Sequence, residues 1–420
     1  MILPPPSTQP DGLPTVGSAD ETSGEILLIL KLGRALHTYG YPAPFLETAL
    51  SRVAERFGIE SQFFSTPTSL FSAFGPLERQ RTYLLRVEPG EVNLGKLARL
   101  QEVIDGTLAG GLDAAAASAR VEQITAAPAL YGSAISVLAV GLAAAGAAIF
   151  SGGGLREVGV AGLLGLLTGG CGALAGRERW PPGIFQAVAA ALVSCLAALA
   201  TRVVGPLSIY IVTLAGLIVL LPGFTLTVAL VELATRHLAS GTARLMGALM
   251  TFMTLGFGIA AGSLLASAAL GPAVSATPLP PPAWAEWIAF VIAPLSFTWL
   301  LRAAARDAPW IVAIGFVAVE SGRLGSNVAG PELGMFVGAL AVSFASALYL
   351  RFLRRPAEIL LVPGIFLLVP GSIGFKSIEQ LLGKNVVLGV EAAFRMVFVA
   401  VALMAGMLIG NALAPRRRRV

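Results

Sequence analysis

The sequence predicts an α-helical polytopic membrane protein, with about ten transmembrane helices arranged as two inverted five-helix repeats behind an N-terminal cytoplasmic α+β domain. Three observations carry this. Of the 420 residues, 55% are hydrophobic and only 13% charged, with a mean hydropathy of +0.79; a soluble domain carries roughly 25% charged residues. Charges are frequent as far as Pro128 and sparse from Tyr131 onward, where long apolar blocks follow one another. A proline-rich stretch at 271–284, GPAVSATPLPPPAW, then divides those blocks into two equal sets. An odd number of crossings in each set makes the second enter the membrane in the opposite sense to the first.

The polar region is read first. Residues 1–22, with PPP, Gly and Ser, lack an apolar period and read as a disordered leader. They show no basic stretch followed by an apolar one, so no cleavable signal peptide is expected and residues 23–128 are placed in the cytoplasm. In EILLILKLGRALHTYG the apolar residues Ile26, Leu27, Ile29, Leu30 and Leu36 recur at helical spacing, and Gly40 ends the run. A second helix after Pro42 closes at Gly58. SQFFSTPTSLFSAFG and RTYLLRVEPG alternate like strands, and two more helices lead to Pro128. Ser65, Ser69, His37 and Asp105 could supply a hydrolase triad, but no Gly-x-Ser-x-Gly elbow surrounds the serines. A membrane-anchored hydrolase is therefore the rival reading from another class.

About 20 apolar residues cross the hydrocarbon core. Blocks of that kind lie at 132–150, 157–175, 183–202, 205–222 and 245–270 in the first repeat (129–270). In the second (285–413) they lie at 285–304, 309–328, 332–352, 357–375 and 388–413. With the first domain inside, most basic loop residues, among them Arg177, Arg179, Arg244, Arg302, Arg351 and Arg354, fall on the cytoplasmic side. So does the basic tail, 414–420, with Arg416 to Arg419. That tail accounts for most of the net charge of +5 and reads as a topology anchor, so no nucleic acid is implied. Only Cys171, Cys195, His37 and His237 are available as soft ligands, so neither a metal site nor a cofactor is expected.

The candidate site lies where membrane helices are broken at matching places. Pro222-Gly223 interrupts VLLPGFTLTVALVELATRH, and Pro363-Gly364 and Pro370-Gly371 interrupt LLVPGIFLLVPGSIGF. A Pro-Gly pair frees carbonyls that hydrocarbon cannot satisfy, so it belongs beside a wet, protein-lined cavity. Pro222, Gly223, Thr225, Pro363, Gly364, Pro370 and Gly371 are the expected substrate-binding set. Glu232, Glu320 and Glu391 are candidate proton carriers, with Arg236, Arg323 and Arg395 three or four residues on as charge partners. A P-loop is missing: GSIGFKS has Phe375 where glycine is required, and LLGKN lacks the hydroxyl. Ion coupling or passive flux is left.

Taken in order, LKLGRALHTYGYPAPFLETALSRVAERFG, FFSTPTSLFSAFG, GGLDAAAASARVEQI, LPGFTLTVALVELATRHLASGTARL and VPGIFLLVPGSIGFKSIEQLL resemble the threonine/serine exporter family, ThrE-type, across roughly residues 24–413. Both halves of the family pattern are fused in one chain. The resemblance implies a ten-span secondary transporter of the bacterial cytoplasmic (inner) membrane with both termini cytoplasmic. It would export threonine or serine by proton-coupled antiport. Its partners would be a small amino acid, protons and the lipid bilayer, with self-association left open. A dicarboxylate such as succinate is the alternative substrate that the resemblance leaves standing.

Overall fold

The computed structural model describes residues 23–88, 90–271 and 275–414. The expected leader at 1–22 and the tail from 415 lie outside the described residues.

The polar region folds as α1 (Gly24–Thr38), α2 (Ala43–Arg56), an antiparallel meander of β1 (Ser61–Thr66), β2 (Ser69–Phe74) and β3 (Arg81–Arg86), then α3 (Leu94–Leu108) and α4 (Ala114–Ala126). Side-chain oxygens of Ser23, Asn93 and Asp113 accept from the first-turn amides of α1, α3 and α4, which fixes where those helices begin. Gly40, at φ +87°, supplies the left-handed turn between α1 and α2 that side-chain-bearing residues resist. Alternation along the strands sends Leu70, Phe74 and Leu85 to a core with Leu28, Leu32, Leu36, Leu46, Leu50 and Ile104.

That core does not close on itself. It also takes in Leu301, Ala303 and Ile311 from the membrane half, with Phe297 and Phe366 packed against it. The first amides of α3, on Leu94 and Gly95, donate to the carbonyls of Leu301 (2.9 Å) and Arg302 (3.1 Å). The polar region is thus built onto the ends of the membrane helices.

The apolar region comprises α5 (Ser133–Phe150), α6 (Leu155–Glu178), α7 (Pro182–Val203), α8 (Ile209–Gly216), α9 (Gly223–Ala234) and α10 (Leu238–Leu270). After the linker follow α11 (Ala283–Leu300), α12 (Ala308–Leu353), α13 (Glu358–Leu368), α14 (Gly371–Leu382) and α15 (Val386–Leu413). Among the described residues eight helical runs are long and apolar enough to cross a membrane, or nine if the pair α8 and α9, bent by 55°, is one span. α12 has 46 residues, about 69 Å at 1.5 Å per residue, against a hydrocarbon core of about 30 Å. It is not straight: Ala329 and Gly330 leave helical geometry, Gly330 with φ +86°. A methyl group on Gly334 would lie 2.5 Å from the Gly322 carbonyl, and one on Gly338 3.3 Å from that of Ala318, so the two arms fold back on each other as a hairpin.

Two expected boundaries move. The block at 205–222 does not end at Pro222, because the chain continues through the proline into α9, and the last block but one runs on to Leu382 instead of 375. In both places the apolar count stopped where charged or hydroxylated residues begin, while the helix continues, with Thr227, Glu232 and Ser377 buried and Lys376 and Glu379 exposed.

Candidate functional site: the crossing of two broken helices

The two breaks have the same backbone. Leu221 is extended (φ −67°, ψ 126°) and Pro222 turns (φ −81°, ψ 32°) before α9 starts at Gly223. Val369 (φ −63°, ψ 138°) and Pro370 (φ −75°, ψ 21°) do the same before α14 starts at Gly371. Steric conflict with the proline ring drives the preceding residue out of the helical region, which ends the first half-helix. The second half then begins with amides that have no partner within the helix.

The breaks touch. A methyl group on Gly223 would overlap Val369 Cγ1 and lie 2.9 Å from the Gly371 nitrogen; one on Gly371 would lie 3.2 Å from Leu221 Cβ and 3.7 Å from Gly223 Cα. The helices α8–α9 and α13–α14 therefore cross glycine to glycine, and the crossing is closed. On the side of the N-terminal domain it is covered by Phe224 stacked on Phe366 (4.5 Å between centroids, 16° between planes), with Phe297 against Phe366 at 5.6 Å. On the other side Tyr210 meets Phe375 at 5.7 Å.

Pro363 and Gly364 do not form a break. They lie buried inside α13, where the helix continues past the proline. Gly364 is a packing position: its added methyl would meet Val342 at 2.6 Å and Ile314 at 3.2 Å, and Gly216 stands in the same relation to Val193 and Leu164. The same matching recurs elsewhere. Gly258 and Gly262 of α10 lie on the carbonyls of Ala187 and Ala191 in α7, as Gly406 and Gly410 of α15 lie on those of Phe336 and Leu340 in α12. Before α10 and α15 the chain turns through left-handed Arg236 (φ 66°) and Lys384 (φ 62°).

The charges are arranged differently from the spacing rule. Glu232, 0% exposed, does not pair with Arg236. Its Oε1 accepts from Ala43 N (3.1 Å) and Arg244 Nε (3.0 Å), and its Oε2 from Ser240 Oγ (2.7 Å). The left-handed turn at Arg236 takes that side chain off the face of α9, and Arg244 reaches back from α10 instead. Glu320 does pair with Arg323 at 3.0 Å, and Arg323 is shared with Glu286 of α11 and lies over the Phe290 ring at 5.3 Å. Glu391 does not pair with Arg395, which is bound by Glu332 of α12 at 3.0 Å. No member of the three carboxylates is at the crossing; the nearest in level is Glu320, two residues from Gly322, whose added methyl would meet Leu368 at 3.5 Å. Thr225 follows the first break at half-buried depth, and its neighbour Thr227 returns its hydroxyl to the Gly223 carbonyl at 3.1 Å.

Three groups were not singled out from the sequence. Glu157, 4% exposed, accepts from Ser208 N at 3.0 Å and so holds the far end of α8. Glu358, at the start of α13, accepts from Tyr41 Oη at 3.0 Å. Glu47 of α2 accepts from Ser65 N at 2.8 Å and lies 3.3 Å from His237 Nε2. Glu157 and Glu358 sit in the first turns of α6 and α13 and Glu47 in the second turn of α2, each beside a distant segment, a relation that spacing along the chain does not encode. Burial pushes the Glu47 carboxyl up, against the pull of Ser65 and His237. Burial and the nearby Glu358 push the Tyr41 phenol well up.

Ser69, His37 and Asp105 of the rival hydrolase are otherwise engaged. His37 Nε2 donates to the Thr66 carbonyl at 2.6 Å, Ser69 Oγ bonds Thr66 Oγ1 at 2.7 Å, and Asp105 accepts from Gln101 at 3.1 Å. Burial holds the His37 imidazole below its ordinary range, the Thr66 carbonyl working against it.

The family described as "Putative threonine/serine exporter" matches residues 27–266, and "Threonine/Serine exporter, ThrE" matches residues 286–413. The chain belongs to the threonine/serine exporter family. Both breaks, and the N-terminal domain almost from its first helix, fall inside the matched segments. Similar proteins include the pheromone-regulated membrane protein 10 of Eremothecium gossypii, 27% identical over 364 residues that cover 83% of this chain and 48% of that protein. The protein of the same name from Saccharomyces cerevisiae is 26% identical, covering 82% and 46%. An uncharacterized protein of Schizosaccharomyces pombe is 25% identical, covering 82% and 47%. The chain thus spans about half the length of these curated relatives. No solved structure matches.

Proposed function

We propose that this member of the exporter family moves threonine or serine out of the cell by alternating access, with the substrate held where α8–α9 and α13–α14 cross. The observation that carries the reading is the contact of the two Pro-Gly breaks, Gly223 on Gly371, inside a chain that belongs to this family. With the α12 hairpin counted as two crossings and each broken helix as one, the membrane region makes ten crossings in two oppositely oriented sets of five. The matched breaks, the matched glycine pairs and the two left-handed turns support that arrangement. The membrane is the cytoplasmic one, with the N-terminal domain inside, on the strength of the arginine-rich loops on that side.

A zwitterion suits such a crossing once it opens. The first amides of α9 and α14 carry the positive ends of two half-helices and take a carboxylate; the carbonyls that end α8 and α13 take an ammonium. Thr225 and Ser372 stand next to these ends and offer hydroxyls to the substrate's own. Proton coupling falls to Glu320, which lies at the level of the crossing and is held by Arg323. The meeting of two half-helix N-termini also suits a substrate with two carboxylates, so succinate is the second reading.

Efflux from preloaded proteoliposomes tests this, with labelled threonine, serine and succinate, with and without an imposed proton gradient. Gradient-sensitive flux of threonine or serine that falls on Pro370→Ala and Glu320→Gln is the expected result. Flux of succinate alone would replace the substrate, and flux indifferent to the gradient would remove the proton.

A further inference from the structure

On the side of the N-terminal domain the crossing can open only if α9 and α13, which run from it towards that domain, move apart. Their inner ends are tied by one short piece of chain. Tyr41 Oη donates to Glu358 at the start of α13 (3.0 Å), and Ala43 N, the first residue of α2, donates to Glu232 in the last turn of α9 (3.1 Å). Only Pro42 stands between them, extended at φ −64°, ψ 147°. Two residues span at most about 7 Å and the proline ring fixes φ, so this piece cannot stretch as the helices separate. Further along α2, Glu47 meets His237 at the start of α10.

The turn between α9 and α10 does not need these side chains in order to form. The matching turn between α14 and α15 has the same left-handed residue and the same closing bond, His237 N to Glu232 O at 2.8 Å and Asn385 N to Gln380 O at 2.9 Å. There Gln380, Leu388 and Ala392 stand where Glu232, Ser240 and Arg244 stand in the first half. The buried carboxylate and its donors occur at the end that faces the N-terminal domain.

We infer that residues 41–43 are a latch: the N-terminal domain holds the inner ends of both broken helices together through Glu232 and Glu358, and its release is a step in opening the crossing towards that domain. The inference rests on the reading that the crossing opens and closes. It does not depend on which solute passes.

The test is side-specific labelling of Thr225→Cys, in a chain with Cys171→Ala and Cys195→Ala, by a membrane-impermeant maleimide. Vesicles exposing the N-terminal domain are compared with vesicles of the opposite orientation. Tyr41→Phe removes a single hydrogen bond and Glu232→Gln removes the charge that Ala43 N, Ser240 and Arg244 hold. Labelling from the domain side should rise several-fold in either variant and about tenfold in the pair, while Gln380→Ala, at the matching turn, leaves it unchanged. Unchanged labelling in both latch variants, with each running as a single species in size-exclusion chromatography, would overturn the latch. So would an equal rise from both sides, which marks general loosening. Threonine, serine and succinate flux measured in parallel vesicles that keep Thr225 separates the two readings: latch-dependent labelling without flux of any of them supports the latch and removes the proposed substrates.

Discussion

The helices α8–α9 and α13–α14 break with nearly the same backbone angles and meet glycine to glycine, yet only α9 ends in a turn that buries a carboxylate. Features the halves share are those the membrane fold requires: a proline to end the first half-helix, glycine where backbones touch, a left-handed residue before the last helix. Features they do not share, Glu232 with Ser240 and Arg244, and Pro363 where the first half has Ala215, cannot be requirements of the common framework. The difference between the halves separates architecture from the devices added to it.

The strongest way to break this comparison is at the turns. Glu232→Ala leaves Arg244 without its buried partner and should destabilise the protein by about 3 kcal/mol. Gln380→Ala, on a more exposed turn, should stay within about 0.5 kcal/mol. Thermal unfolding in detergent measures both, and equal losses would erase the asymmetry.

At the crossing the two glycines should also differ. Gly223→Ala forces a methyl group onto Val369 and should cost about 1–3 kcal/mol, more than Gly371→Ala, whose nearest neighbour is 3.2 Å away. A helix-packing test refines this: Gly262→Leu and Gly410→Leu push onto the carbonyls of Ala191 and Leu340 and should lower the melting temperature alike, because that contact is common to both halves.

The N-terminal domain supplies a smaller effect with a definite sign. Burial lowers the folded pKa of His37, so between that value and the ordinary imidazole range the unfolded chain binds more protons. Stability from this group is fully present above the unfolded pKa and is lost as the pH falls towards the folded one. Melting temperature should decline on acidification below about pH 6.5, and His37→Gln should flatten that decline. Smallest of all is Pro363→Ala, inside a continuous helix, which should change stability by less than about 1 kcal/mol in either direction; Pro370→Ala, at a true break, should straighten the helix and abolish flux. Equal flux in these two variants would return Pro363 to the site.

Much of the fold was legible because a bilayer imposes it. Apolar length gave most crossings, and Gly40 and Gly58 marked helix ends where the backbone turns left-handed. Of the site, the breaks at Pro222 and Pro370 could be read from proline's missing amide, whereas at Pro363 the helix carries on past the missing amide, which the sequence alone does not reveal. The ion pairs were read poorly. Spacing along a helix finds Glu320 with Arg323, but Arg244 reaches Glu232 across a turn and Glu332 reaches Arg395 from another helix. Glu157 and Glu358 gave no signal, because a carboxylate that caps a distant segment looks like any acidic residue near a helix start.

The bare contact at the crossing has a mechanical consequence. Glycine lies on glycine there, with only Val369 and Leu221 reaching across, so in the proposed cycle each broken helix would turn about this contact as a lever about its fulcrum. A small swing that parted α9 from α13 would bring α8 and α14 closer, and the reverse swing would close the proposed inner mouth while it opened the outer one. On that reading mutual exclusion of the two mouths would follow from the fulcrum itself, and a force applied at the N-terminal domain would be felt with opposite sign at Tyr210 and Phe375.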